Sequence, residues 1–135
     1  MNQAITHSGA VDGGARNLLR IEGFMLMSCA MGLYFRAGGD WKQFALLFLF
    51  PDLSFAGYLG GPRIGAAAYN MMHSTVAPLV LGAAGVLLNA PLALAVALIW
   101  MAHIGFDRAL GYGLKHGTGF GFTHLGRIGR AAGES

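Results

Sequence analysis

The chain has 135 residues, the length of one domain, and 55% of them are hydrophobic while only 11% are charged. Soluble domains carry roughly 25% charged residues, so this composition excludes an ordinary soluble protein and indicates an integral membrane protein. The net charge of +3 is not accompanied by a recognition motif, so we expect no nucleic acid partner. The single cysteine, Cys29, excludes an internal disulfide bond.

Four apolar segments predict four membrane-spanning helices, because each approaches the roughly 20 residues that cross a bilayer. They lie at about 18–35, 44–59, 64–88 and 91–114. Short turns separate them, at Gly38–Asp40, Gly60–Pro62 and Asn89–Pro91. Short connections make neighbouring helices antiparallel, so the predicted fold is all-α, an integral membrane four-helix bundle.

This pattern predicts three regions along the chain. Residues 1–17 form a polar N-terminal tail, and residues 18–114 form the transmembrane domain. Residues 115–135 are Gly-rich and basic, and either fold back on the bundle or are flexible. Pro51 and Pro78 lie inside the second and third spans, where a proline bends a helix and frees a backbone carbonyl.

Basic residues are distributed unequally between the two ends of this bundle. With four spans, the N-terminus, the second loop and the C-terminal segment share one side. Only Arg36 and Lys42 lie on the other side. Cytoplasmic loops carry an excess of Lys and Arg, so we expect a multi-pass protein of the bacterial inner membrane with both termini cytoplasmic. The basic residues of that side are Arg16, Arg20, Arg63, Arg108, Lys115, Arg127 and Arg130.

Four ionisable residues lie inside the apolar spans: Asp52, His73, His103 and Asp107. A charge at the bilayer centre costs roughly 2.5–3.5 kcal/mol, and such residues usually face the bundle interior and mark a site. At 1.5 Å per residue, all four lie roughly 12–18 Å from the same end of the bundle. Three different helices therefore bring them to one level, which predicts a single site.

The residue types in this group favour a metal site. His103 and Asp107 are four residues apart and share one helix face. Two imidazoles and two carboxylates suit a divalent cation such as Zn²⁺, Mn²⁺ or Fe²⁺. Asn70 lies one turn before His73 and is a candidate for binding a ligand. Two simpler interpretations stay open: hydrogen bonding between helices, or a neutralised His103–Asp107 pair.

Further candidate residues lie near this group or in the C-terminal segment. Glu22 on the first helix is a candidate general base, or a partner of Arg20 at the membrane edge. Apolar residues alternate with polar ones around His124, which predicts that this segment folds back so that His124 completes the cluster and handles protons. Arg127, with Arg130, is a candidate for binding a phosphate or lipid headgroup.

The chain resembles the domain-of-unknown-function family 4260 over nearly all residues after about Asn17. The motifs are P-D-L-S at 51–54, Y-N-M-M-H-S-T-V-A-P at 69–78, A-H-I-G-F-D-R-A-L-G-Y-G-L-K at 102–115 and T-H-L-G-R-I-G at 123–129. The resemblance implies a small bacterial four-helix membrane protein.

A looser similarity extends to membrane-bound metal-dependent hydrolases, which carry Pro-Asp, Thr-His-Ser and His-x-x-x-Asp motifs in the same order. That similarity implies metal ligands at Asp52, His73, His103 and Asp107. The chain differs from the hydrolase pattern at two places. It has Ser54 where the hydrolases have a second acidic residue, and Tyr69–Asn70 where they have a His-Arg pair.

Three functions are compatible with these observations. The leading hypothesis is a divalent-metal-dependent hydrolase that acts on a lipid-like phosphate or ester, with membrane lipids as its surroundings. The second is a non-catalytic accessory or assembly subunit of a larger membrane complex, or a homo-oligomer. The third is an element of a proton or ion pathway that uses the buried Asp/His group.

Overall fold

A computed structural model describes residues 13–112 and the backbone of residues 122–123 and 126–127. Its helices are α1 (Gly13–Arg36), α2 (Trp41–Phe48), the 3-10 helix η1 (Phe50–Gly60), α3 (Pro62–His73), α4 (Val76–Leu87) and α5 (Pro91–Ala109). Two short strands, β1 (Phe122–Thr123) and β2 (Gly126–Arg127), pair antiparallel.

Four helical segments of the described chain are long and apolar enough to cross a bilayer. They cover 13–36, 41–60, 62–87 and 91–109, with α2 and η1 forming the second and α3 and α4 the third. Their large apolar side chains point outwards, as Leu59 at 93% exposure and Leu87 at 79% show. An apolar exterior suits lipid rather than water. The predicted all-α membrane bundle is confirmed.

Two helix boundaries differ from the predicted ones: the start of the first helix and the end of the last. The first helix begins at Gly13 rather than at residue 18, because its first turns are polar and hydropathy does not detect them. The last helix ends at Ala109 rather than at residue 114. Gly111 has a φ of +91°, and its N–H donates to Arg108 O at 3.0 Å. Tyr112 N–H donates to Asp107 O at 2.7 Å, which completes a Schellman motif.

The third span breaks between α3 and α4, at Ser74, where the backbone is extended. Pro78 causes this break, because it has no N–H and its ring displaces the carbonyl four residues earlier. New partners satisfy the polar groups that the break leaves free. Ser74 Oγ accepts from Val76 N–H at 3.2 Å, and Trp100 Nε1 donates to Met72 O at 2.6 Å.

The helices pack as two groups, and glycines bring the backbones together within each. In the main body (α1, α2, α4 and α5), α5 lies along α1 and α4. A Cβ at Gly105 would lie 2.6 Å from Gly23 O, so the α1 and α5 backbones touch there. In the hairpin (η1 and α3, residues 50–73), a Cβ at Gly57 would lie 2.7 Å from Ala68 Cβ.

Candidate metal site

The four ionisable residues of the spans converge on one point, at the seam between the hairpin and the main body. Asp52 lies in the first turn of η1, and His73 is the last residue of α3. His103 and Asp107 lie one turn apart near the end of α5. The predicted convergence is therefore present in the structure, although the four residues come from elements that are distant in sequence.

The side chains meet through one atom each. His73 Nε2 and His103 Nε2 are 3.2 Å apart. Asp107 Oδ2 lies 3.1 Å from His73 Nε2 and 3.2 Å from His103 Nε2. Asp52 Oδ1 lies 3.2 Å from His103 Nε2 and 3.6 Å from His73 Nε2. Two nitrogens and two carboxylate oxygens thus face the same small volume.

These separations fit the coordination shell of a metal ion. All four donor atoms lie within 4.8 Å of one another. A tetrahedral ion with bonds of 2.0–2.1 Å holds its donors about 3.3 Å apart. The His–His and His–Asp separations of 3.1–3.6 Å bracket that value. Imidazole and carboxylate donors together suit Zn²⁺, Mn²⁺ or Fe²⁺, so the residues present fit the predicted cation.

Tyr69 holds the His73 ring in position for this role. His73 Nδ1–H donates to Tyr69 O at 2.9 Å. The two rings also stack, with centroids 3.7 Å apart and planes 8° from parallel. A hydrogen bond from Nδ1 fixes the tautomer that presents a lone pair at Nε2, as metal-binding histidines require. Tyr69 was not among the predicted site residues, although its position four residues before His73 on one helix face is a usable signal.

His103 is held differently, by ring packing. Its ring makes an edge contact with Phe48, at a centroid distance of 5.1 Å. His103 Nδ1 is buried and has no hydrogen-bond partner of good geometry among the described residues. The Phe48 backbone nevertheless interacts electrostatically with this imidazole. When the proton of a neutral His103 is on Nδ1, the Nε2 lone pair faces the other donors and is free for a cation.

With no cation bound and both histidines neutral, the group has more hydrogen-bond acceptors than donors. With its proton on Nδ1, a neutral His73 directs a lone pair at the two carboxylates. A neutral His103 offers at most one N–H to the whole group. Two carboxylates would then share few donors, and one of them, Asp107, is largely buried at 14% side-chain exposure, while Asp52 is 37% exposed. A buried charge is costly unless it is paired or coordinates a metal, so a divalent ion is the simplest way to satisfy these donors.

One side of the site opens outwards. His73 and His103 are 3% and 1% exposed, while the Asp52 side chain is 37% exposed. The histidines are therefore the buried donors of the site, and Asp52 is its most exposed donor. Among the described residues, Asp52 is therefore the donor most accessible to a small molecule.

The other predicted site residues do not join this group within the described chain. Glu22 is exposed on α1, and its charge interacts with that of Arg108 on α5. Asn70 is partly buried one turn before His73, and its carbonyl accepts from Ser74 N–H at 2.8 Å. Neither residue contributes to the four-donor set, so the predicted roles of Glu22 and Asn70 stay predictions.

Two further predicted residues belong to the C-terminal segment. His124 and the Arg127 side chain lie outside the described residues. The Arg127 backbone is described, in β2, where it pairs with Phe122. Their predicted roles in proton transfer and in headgroup binding stay predictions.

A family model for a domain of unknown function, DUF4260, matches residues 16–128. The chain belongs to this family. The match includes all four donors and confirms the resemblance seen in the sequence motifs. No curated protein and no solved structure matches the chain. The looser similarity to metal-dependent hydrolases stays a prediction.

Replacement of Tyr69 tests how the His73 ring is held. We expect Tyr69→Ala to lower metal affinity about tenfold, because groups that orient a metal ligand are worth about 10–100-fold in affinity. Tyr69→Phe keeps the stacked ring and the backbone carbonyl, so we expect it to bind metal nearly as tightly as the unchanged protein. Competition with a chelator of known affinity measures both constants. Equal affinities for the two variants would contradict a positioning role for the ring.

Proposed function

We propose that this protein is a divalent-metal-dependent hydrolase of the bacterial inner membrane that acts on a lipid-like phosphate or ester. The observation that supports the proposal best is the donor geometry, in which two imidazole nitrogens lie 3.2 Å apart and 3.1–3.6 Å from two carboxylate oxygens, all four atoms being within 4.8 Å of one another. A structural role in helix packing would need only pairwise hydrogen bonds. It would not require four donor atoms to face one point.

The proposed chemistry assigns a role to each residue of the site. Asp52, His73, His103 and Asp107 hold the cation, which supplies Lewis acidity and lowers the pKa of a water molecule. The buried histidines fix the position of the site through Tyr69 and Phe48. Asp52 is the most exposed of the four, so its carboxylate is best placed to accept a proton from an approaching water molecule.

The identity of the cation decides how many positions remain for the reaction. A tetrahedral Zn²⁺ would be filled by the four donors, as in structural zinc sites. An ion that prefers six ligands, such as Mn²⁺, would keep two positions for water and a substrate oxygen. We therefore expect Mn²⁺ or Fe²⁺ to support hydrolysis better than Zn²⁺.

The surroundings of the site favour an amphiphilic substrate. All four donors belong to segments long and apolar enough to span a bilayer. Exposed apolar side chains follow Asp52 along η1, with Leu53 at 70% and Phe55 at 37% exposure. A polar, hydrolysable group attached to an apolar chain would place its head at Asp52 while its chain stays in lipid. A purely water-soluble ester would be excluded from this environment.

The test uses protein purified in detergent and loaded with Mn²⁺, Fe²⁺ or Zn²⁺. We expect it to hydrolyse chromogenic phosphate or carboxylate esters with long acyl chains faster than the same esters with short chains. Asp52→Asn should lower the rate about 100-fold, the lower limit for loss of a positioned proton acceptor. Asp40→Asn is the matched control, because Asp40 caps α2 through Lys42 N and Gln43 N, away from the site. No hydrolysis by protein with verified bound metal would overturn the hydrolase proposal.

A further inference from the structure

We propose that the metal ion is also a reversible lock that fastens the hairpin (η1 and α3, residues 50–73) to the main body, and that the hairpin swings away from α5 when the ion is absent. The inference rests on the metal-binding part of the proposed function. It does not depend on hydrolysis.

The ligands are divided equally between the two groups of helices. Asp52 and His73 belong to the hairpin, and His103 and Asp107 belong to α5 in the main body. An ion held by all four therefore bridges the two groups. Each group alone retains two donors, too few for a tight site.

Packing is close within each group and sparse between them. The η1 and α3 backbones approach at Gly57, and Gly65 lies directly under the Tyr58 ring. By contrast, η1 contacts α5 at few positions in the described chain, and α3 contacts α5 at still fewer. Besides the four donors, Trp100 Nε1 of α5 donates a hydrogen bond to Met72 O of the hairpin at 2.6 Å. Few buried contacts across a seam make opening inexpensive in free energy.

Both chain connections of the hairpin are junctions between helices, the first a change from α to 3-10 geometry and the second a break, and each lies beside a ligand. The α2 helix ends at Phe48, and η1 begins two residues before Asp52. The α3 helix ends at His73, and the extended Ser74 follows directly. Residues at the ends of elements absorb the φ/ψ changes of hinge motions. The η1 helix has 11 residues in 3-10 geometry, which rarely persists beyond 3–4 residues and often marks a hinge.

Electrostatics supply the difference between the two states. Without a cation, the donors of the two groups meet as imidazole–carboxylate pairs, His73 with Asp107 at 3.1 Å and His103 with Asp52 at 3.2 Å, and each pair can share at most one proton. With a cation, the same atoms become ligands of one ion. A ligand that binds only the closed arrangement shifts the population towards it in proportion to its differential affinity. The residues that bind the ion therefore lie directly beside the helix junctions at which the hairpin would turn.

Distance measurements between spin labels test this lock on the full chain in detergent or nanodiscs. In a Cys29→Ala background, labels at Ser28→Cys and Ala67→Cys report the distance from α1 to α3, because both positions are exposed. Labels at Ser28→Cys and Leu87→Cys form the matched control, because α1 and α4 both belong to the main body. Each protein is measured with Zn²⁺ bound, after EDTA treatment and after Zn²⁺ is added back.

We expect EDTA to lengthen and broaden the distance between positions 28 and 67, and Zn²⁺ to restore it. The distance between positions 28 and 87 should stay constant, and circular dichroism should show unchanged helix content. An unchanged distance between positions 28 and 67 after verified loss of Zn²⁺ would overturn the lock and leave the metal site intact. Failure of any divalent ion to bind would overturn both proposals. A restored distance without hydrolysis would support the lock and contradict the hydrolase alone.

Discussion

Replacement of His103 by alanine is expected to abolish stoichiometric metal binding. His103 Nε2 lies 3.2 Å from each of three other donors, so it is central to the group. Loss of a group that orients a ligand already costs about 10–100-fold in affinity, and loss of the ligand itself should cost at least about 100-fold. Elemental analysis of purified protein and competition with a chelator measure the change.

Two further variants separate loss of the ligand from general damage. His103→Gln keeps a polar side chain of similar length but removes the imidazole, so we expect it to lose metal as His103→Ala does. Asn70→Ala removes a polar side chain one turn from His73 that is outside the donor set, and we expect it to keep its metal. Normal metal content in His103→Ala, with the helix content of the unchanged protein, would show that these four residues are not a metal site.

Replacement of Gly23 by alanine is expected to destabilise the bundle more than any other glycine-to-alanine substitution on α1. A Cβ at this position would lie 2.6 Å from Arg108 Cβ, 2.8 Å from Ala109 N and 2.8 Å from Gly105 O. Two of these atoms belong to the α5 backbone, so the helices must separate to make room. Overpacking of this kind costs about 1–3 kcal/mol in the free energy of unfolding. Thermal unfolding in detergent micelles measures the loss as a lower Tm.

Gly32→Ala is the matched control for this prediction. Gly32 lies on the same helix, and a Cβ there would meet nothing within 4 Å among the described residues. Alanine favours the helix more than glycine does, so we expect the Tm to stay constant or to rise slightly. Equal destabilisation by the two substitutions would mean that α1 and α5 do not pack through Gly23.

Much of the architecture follows from local patterns that the sequence carries directly. The four spans are recognisable because bilayer-crossing helices need continuous apolar runs, and the turns because Gly38 and Asn89 adopt the positive φ values that end helices. The site residues are recognisable for the same reason. A histidine or aspartate inside an apolar run is rare enough to stand out without knowledge of its neighbours.

Other features depend on atoms that are far apart in sequence, and local patterns do not encode them. Hydropathy misses the first turns of α1, because the residues from Gly13 onwards are polar yet helical. The presence of Pro78 indicates a disturbed helix, but only the structure shows that the span separates into α3 and α4 at Ser74. Glu22 has the right charge for the predicted role in catalysis. Its place outside the four-donor group depends on how the helices are rotated about their axes.

The sequence by itself determined that this is a four-helix membrane protein with Asp52, His73, His103 and Asp107 at one level of the bundle. Composition and spacing along a helix are sufficient for that, since both are properties of a single segment. The tertiary structure alone decided that the four donor atoms meet within 4.8 Å, and that two of them come from the hairpin and two from the main body. Those facts depend on close glycine packing between helices, which sets the rotation of each helix and so the direction in which each donor points.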